Sequence, residues 1–273
     1  MNGNNHVKSE DALREYNVNE FVTPDGYTSD IAIFTITSEK KQEYKPPIME
    51  LKIMLIKRAL VNAEEKPNIE GGKWALPGGF VSHNEAGGYD AALRELAEET
   101  GVKGLHLKHF GVYDKPGRDP RGWIISNAHY AIVPERYLAN RKAADDAIEV
   151  ELFTLKEVFS LSLSFDHMKI IEDAIKIIKR DIAETTVAKH FLPKEFTASE
   201  LRVLLQLVIN EPVVKEDSAF SRKIGKLPFI EVVKQRDGSL KKSQRNSKTP
   251  SQLYKFKDIN EEEFVRSIYS AKY

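Results

Sequence analysis

The stretch Asp90-Ala-Ala-Leu-Arg-Glu-Leu-Ala-Glu-Glu-Thr-Gly101 decides how the rest of this chain is read. Glu95, Glu98 and Glu99 stand at i, i+3 and i+4, so a helix stacks them on one face. Three like charges on adjacent turns repel, and folding alone does not ask for them. A hard divalent cation removes the penalty, because Mg²⁺ takes carboxylate oxygens and keeps waters and phosphates as its other ligands. Arg94, four residues before Glu98, can pair with it and leave the other two carboxylates to the metal. Ala92, Leu93 and Leu96 supply the apolar stripe, and Gly101 is a natural left-handed stop.

Upstream lies Trp74-Ala-Leu-Pro-Gly-Gly-Phe-Val81, an apolar run broken by Pro77-Gly78-Gly79. The break forces a tight turn and brings bare backbone close to whatever the helix binds. Together these stretches resemble the signature of the Nudix (MutT-like) hydrolases: Gly, five residues, Glu, seven residues, Arg-Glu-apolar-any-Glu-Glu-any-Gly-apolar. Gly79, Glu85, Arg94, Glu95, Leu96, Glu98, Glu99, Gly101 and Val102 match in type. One departure stands: eight residues, Ala86 to Leu93, separate Glu85 from Arg94. The extra residue falls ahead of the helix, in Ala86-Gly87-Gly88, so it bears on Glu85 and leaves the helix glutamates in register. The resemblance implies an α/β/α sandwich with a mixed sheet. It also implies Mg²⁺ or Mn²⁺ on Glu95, Glu98, Glu99 and the Gly79 backbone, catalytic roles for Glu98, Glu99 and Arg94, and Gly78 against the substrate.

The connector Asp114-Lys-Pro-Gly-Arg-Asp-Pro-Arg-Gly122 is a stiff loop that presents Arg118 and Arg121. Guanidinium forks suit diphosphate oxygens and ribose hydroxyls. This loop resembles the ADP-ribose-handling branch of the family, which implies substrate contact for Arg118 and Arg121. Arg58, at the end of the strand Glu50–Arg58, is a further candidate for phosphate contact. Strands are expected at 30–37, 105–113, 123–133 and 149–153, and a helix over 165–180 that Asp166 caps. His167, at that helix start, reads as a capping or core histidine. The acidic loop 143–151 offers four carboxylates as a base for water, and the sequence does not choose among them. A short helix over 9–20 carries no chemical signal.

The chain has 273 residues, 41 Lys+Arg, 41 Asp+Glu and no cysteine. No cysteine excludes disulfides and thiolate chemistry and suits a reducing cytoplasm. The first ten residues lack an apolar core, so no secretory signal is expected, and no stretch is long and apolar enough for a membrane span. Residues 221–257 hold 11 Lys+Arg against 2 Asp+Glu, a local excess of 11 − 2 = 9 positive charges hidden in a neutral total.

Character changes after residue 188, which divides the chain into 1–188 and 189–273. Thr197 and Glu200 stand at capping-box spacing, with Phe196 ahead. Leu201, Leu204, Leu205 and Val208 give the apolar face of that helix. A second helix over 217–227, two strands at 229–233 and 253–256, and a basic loop between them follow in the order of a winged helix-turn-helix. Arg222, Lys223, Lys241, Lys242 and Arg245 are the candidate contacts to a double-stranded DNA backbone. A terminal helix is expected over 258–273. The arrangement resembles the Nudix-related transcriptional regulators of NAD metabolism, and both resemblances imply a homodimer. Two functions follow: a Mg²⁺-dependent hydrolase that cleaves ADP-ribose to AMP and ribose 5-phosphate, or an ADP-ribose-sensing DNA-binding regulator. Retention of all three helix glutamates favours the first.

Overall fold

The computed structural model describes residues 14, 16–20, 22–62, 64–138, 147–208 and 212–259. In chain order the first part contains β1 (Gly26–Glu39), β2 (Ile48–Arg58), β3 (Trp74–Ala75), β4 (Gly78–Phe80), helix α1 (Gly88–Thr100), β5 (His106–Tyr113), β6 (Ile124–Ile132), β7 (Ala147–Thr154) and helix α2 (His167–Glu184). The sheet is mixed. β1 runs antiparallel to β2 from Ile33 opposite Met54 to Glu39 opposite Ile48, and parallel to β6 from Gly26 opposite Ile124 to Phe34 opposite Ile132. β5 lies antiparallel on β6, and β7 antiparallel on β2.

β1 and β2 stop pairing where the chemistry begins. There β4 takes Thr28 to Asp30 of β1, and β3 takes Ile56 and Lys57 of β2. The Pro-Gly-Gly turn therefore sits inside the sheet, between two diverging strands, and Ile31 N donates to Pro77 O at 2.8 Å to hold it there.

Alternation along β1 sends neighbours to opposite faces. Ile31 and Ile33 pack under α1 with Met54, Ala92, Leu96 and Val133. Ala32 and Phe34 pack under α2 with Ile53, Leu55, Ile171, Ala174 and Ile178. Each such fully buried aliphatic contributes about 1.5–3 kcal/mol, so both helices are fixed by burial more than by propensity. The result is the α/β/α sandwich with a mixed sheet.

The second part contains β8 (Phe196–Thr197), α3 (Ala198–Gln206), a single turn Pro212–Lys215, α4 (Asp217–Ile224), β9 (Ile230–Val232), β10 (Lys242–Ser243) and β11 (Ser251–Phe256). β11 is the hub, pairing with β8, β9 and β10. The Thr197–Glu200 capping box forms as the spacing requires. Leu201, Leu204, Phe220, Ile224 and Phe229 are buried, and their cluster is continuous with the one under α2. This is a winged helix-turn-helix.

Several expectations are corrected. Leu93 is partly exposed, and the buried stripe of α1 runs through Ala91, Ala92 and Leu96. Asp166 occupies the N-cap of α2 but makes no side-chain cap bond, because its carboxylate is taken by Arg118. The basic loop contains a short strand of its own, β10. Of the expected 9–20 helix, Val18–Glu20 form a single 3-10 turn and much of the rest lies outside the described residues. The expected terminal helix lies outside them beyond Ile259, as do Asp145 and Asp146 of the acidic loop. Among the described residues no helix is long and apolar enough to cross a membrane.

Candidate active site

α1 ends at Gly101 in the left-handed region, φ 70°, where a side chain costs energy. Burial of Ala92 and Leu96 then turns Glu95 against the Pro77-Gly78-Gly79 turn, with Glu98 and Glu99 following it along the helix. The contact is close. A Cβ on Gly79 would overlap the Glu95 carboxylate where it stands, so the bare glycine backbone lies directly against that acid.

Arg94 is the organiser of this face. Its Nε donates to Glu85 Oε1 at 2.8 Å, its Nη1 to Glu95 Oε1 at 2.7 Å and Glu98 Oε2 at 3.2 Å, and its Nη2 to Phe80 O at 3.3 Å. Arg94 was expected to hold Glu98 alone; it holds three carboxylates, and its own pKa is driven up, chiefly by the hydrogen bonds to Glu85 and Glu95. Its role is to position the acids. Glu85 is recruited despite the extra residue before the helix: Ser82 N donates to its Oε2 at 2.7 Å, and the Arg94 hydrogen bond lowers its pKa. The 82–87 turn absorbs the insertion.

Glu99 differs from its neighbours. It is 6% exposed, and its Oε2 is buried without a hydrogen-bond partner. Burial first, then the charges of Glu95 and Glu98, raise its pKa to about 7. Burial also raises Glu95, against the opposing pull of Arg94. A buried carboxylate oxygen without a donor is costly unless something positive reaches it. Mg²⁺ or Mn²⁺ fits the donor chemistry here: carboxylate oxygens, with the bare Gly79 backbone against Glu95. Among the described residues no three acidic or imidazole side chains are arranged to hold a metal ion by themselves. Mg²⁺ does not require such an arrangement, since it binds through one or two carboxylates and keeps water and phosphate ligands. Glu95, Glu98, Glu99 and the Gly79 backbone are the candidate ligands for it.

On the other side of the hairpin is a cleft of about 170 Å³, lined among others by Asp30, Arg58, Gly78, Phe80, Arg121 and Phe165. Arg58 donates to Ile69 O and Asn68 Oδ1 and lies 5.4 Å from the Phe165 ring centre. Arg121 is bidentate on Asp119 and stacks between Phe80 and Phe165, at 4.9 and 5.2 Å. Arg118 is placed otherwise than expected. Its side chain is 4% exposed and its fork grips Asp166 at 2.9 and 2.5 Å, with Asp30 at 3.6 Å. Arg118 is a buried strut of the cleft wall, not a free substrate contact.

His167 and Asp30 were not singled out for the site, yet they hold it in shape. His167 Nδ1 accepts from Leu76 N at 2.9 Å, tying the hairpin to α2, and its Nε2 lies 3.7 Å from Asp30 Oδ1. Burial lowers the His167 pKa, which keeps the accepting lone pair available. No sequence pattern marks a pairing across 91 residues.

The NUDIX domain family profile matches residues 27–174, more than half of the chain. This chain belongs to the Nudix family. An ADPR responsive transcriptional repressor, NtrR, from Acinetobacter baylyi is 28% identical over 245 residues, covering 89% of this chain and 86% of the relative. An ADP-ribose pyrophosphatase from Methanocaldococcus jannaschii is 42% identical over 125 residues, 46% of this chain and 66% of that protein. Among solved structures, Shewanella oneidensis NrtR superposes with a TM-score of 0.64 at 24% identity, over 85% of this chain and 94% of that one, a likeness of fold.

Downstream of the Nudix fold, the candidate DNA contacts divide. Arg222 and Lys242 are exposed. Lys223 is on α4 beside Arg222, while Lys241 pairs with Glu195 at 2.7 Å. Arg245 corrects the expectation of an outward phosphate contact. Its guanidinium is spent on Glu200, at 2.8 and 2.5 Å, and on Glu195 O at 2.8 Å. It bolts the wing to the start of α3. Of the acidic-loop candidates for a base, Glu149 is paired with Lys57 at 3.2 Å.

Proposed function

We propose that this Nudix protein is a divalent-metal-dependent hydrolase of nucleoside diphosphate derivatives, with ADP-ribose as substrate and AMP and ribose 5-phosphate as products. The observation that carries the reading is the complete acidic helix, with the Glu99 oxygen buried and unpartnered and the Glu95 carboxylate against Gly79. Bound there, Mg²⁺ or Mn²⁺ would supply Lewis-acid chemistry, neutralising developing charge and acidifying a water. The chain's own part is positional. Arg94 fixes Glu85, Glu95 and Glu98, Glu99 would offer the cation an oxygen that has no other partner, and Arg121 lines the cleft across the hairpin. The ADP-ribose pyrophosphatase among the relatives supports this reading. The test is a panel of nucleoside diphosphate derivatives with Mg²⁺, read as AMP release. ADP-ribose should be turned over by the wild type and not by Glu98→Gln; equal inertness of both across the panel retires the hydrolase.

A second reading has its own support: the full-length relative that is an ADP-ribose-responsive repressor, and the basic wing. In it residues 1–188 sense the ligand and residues 189–273 bind duplex DNA, in a cytoplasmic homodimer. The predicted signature is in the salt dependence. Each neutralised phosphate contributes a slope of about −0.9 to log K against log salt, so Arg222→Ala with Lys242→Ala should flatten it by about 2. Arg245→Ala should instead lower the melting temperature. A slope that neither change moves speaks against the DNA interface.

A further inference from the structure

His167 does for the hairpin what a main-chain carbonyl would do in a sheet. Trp74 N donates to Ser162 O at 3.1 Å and Ser164 N donates to Trp74 O at 2.8 Å, so the leading strand of the hairpin begins a parallel ladder on residues 162–164. The next rung of such a ladder would run from Leu76 N to Ser164 O. It is not made. Phe165 stands at φ 50°, a left-handed conformation costly for a bulky residue, and the chain turns there into α2. Ser164 O accepts instead from His167 N, at 3.1 Å. Leu76 is buried, and an unpaired N–H there would be costly. The imidazole supplies the missing rung: Nδ1 accepts from Leu76 N at 2.9 Å.

That rung fixes both a protonation state and a position. Nδ1 accepts only while it carries no proton, so the neutral ring bears its proton on Nε2, which faces Asp30 Oδ1 at 3.7 Å. Burial favours the same neutral form. From the opposite side β1 holds the turn by its main chain, with Ile31 N donating to Pro77 O and Asp30 paired with Gly78. The residues just ahead of Gly79 are thus fixed between one strand and one imidazole. Gly79 itself lies against Glu95. A shift at Leu76 therefore passes along a short, taut turn to the backbone that faces the acidic helix.

We propose that His167 is a positioning residue for the metal-dependent reaction: its Nδ1 lone pair, acting through the Leu76 N–H, sets the Gly79 backbone against Glu95. The inference rests on the proposed metal site and adds to it a residue from α2 that touches neither cation nor substrate.

The experiment compares full-length wild type, His167→Leu and His167→Asn, each checked for folding by circular dichroism. It reads ADP-ribose turnover with Mg²⁺ and Mn²⁺ binding by electron paramagnetic resonance. His167→Leu fills the space without an acceptor, whereas His167→Asn offers an amide oxygen close to the place of Nδ1. His167→Leu should lower kcat by about 10²-fold, the cost of a small misplacement in a reacting constellation, with KM nearly unchanged. Its Mn²⁺ binding should weaken several-fold, and His167→Asn should recover most of both losses. A wild-type kcat in His167→Leu, or a His167→Asn protein as impaired as His167→Leu, overturns the positioning role. Should His167→Leu fail to fold, His167→Asn decides alone: a kcat near wild type supports the role, and a loss of about 10²-fold overturns it. A wild type that binds Mn²⁺ but cleaves nothing retires the hydrolase, and the Mn²⁺ affinities of the variants then decide the role of His167 in the same way. A wild type that binds no Mn²⁺ overturns both.

Discussion

Glu99→Gln is expected to stabilise the metal-free protein while abolishing its metal-dependent turnover. The native pKa is about 7 against an ordinary 4.5. Between those values the folded state holds a proton that the unfolded state has released, so stability falls as pH rises through the window and the full penalty is present above it. A shift of this size corresponds to about 3 kcal/mol at most. Thermal melts in a chelator should therefore show the variant above the wild type at pH 8 and close to it at pH 5. Turnover should fall roughly 10²–10³-fold, since a cation worth several kcal/mol to the transition state loses a ligand. A variant that melts below the wild type at pH 8 would mean that Glu99 has a stabilising partner, and the metal argument would lose its basis.

Arg118→Ala is expected to cost about 3–5 kcal/mol of folding stability, the loss seen when one member of a buried pair is removed. Two carboxylates, Asp166 and Asp30, would lose their cation inside the cleft wall. Arg118→Lys should recover part of this, because it keeps the charge and loses the fork. Urea unfolding measures both. Arg121→Ala, by comparison, removes a partly exposed side chain stacked on two rings and should act mainly on ligand affinity. If Arg118→Ala unfolds like the wild type and only raises KM, Arg118 is a substrate contact after all.

The contrast between these arginines shows what could be read before the structure. Periodicity carried the fold: Ile31 and Ile33 against Ala32 and Phe34 define two faces of one strand, and the spacing of Glu95, Glu98 and Glu99 defines one side of a helix. Local chemistry was equally legible, as in the Thr197–Glu200 capping box and the Gly101 stop. Side-chain partnerships across long separations were not. Arg118 and Asp166 are 48 residues apart, Arg245 and Glu200 are 45, and nothing local marks which cation a carboxylate will choose. The extra residue between Glu85 and Arg94 misled for the same reason. A one-residue lengthening of a surface turn costs little, so the chain can absorb it and still bring Glu85 to Arg94.

The central claim is that α1 and the glycine turn together hold a divalent cation. Mn²⁺ titration followed by electron paramagnetic resonance tests it without asking whether the ligand is cut or only sensed. The wild type should sequester Mn²⁺, more tightly at pH 8 than at pH 5.5, with binding strongly weakened in both Glu98→Gln and Glu99→Gln. Mn²⁺ binding unchanged by either substitution, or absent from the wild type at both pH values even with ADP-ribose present, would contradict it.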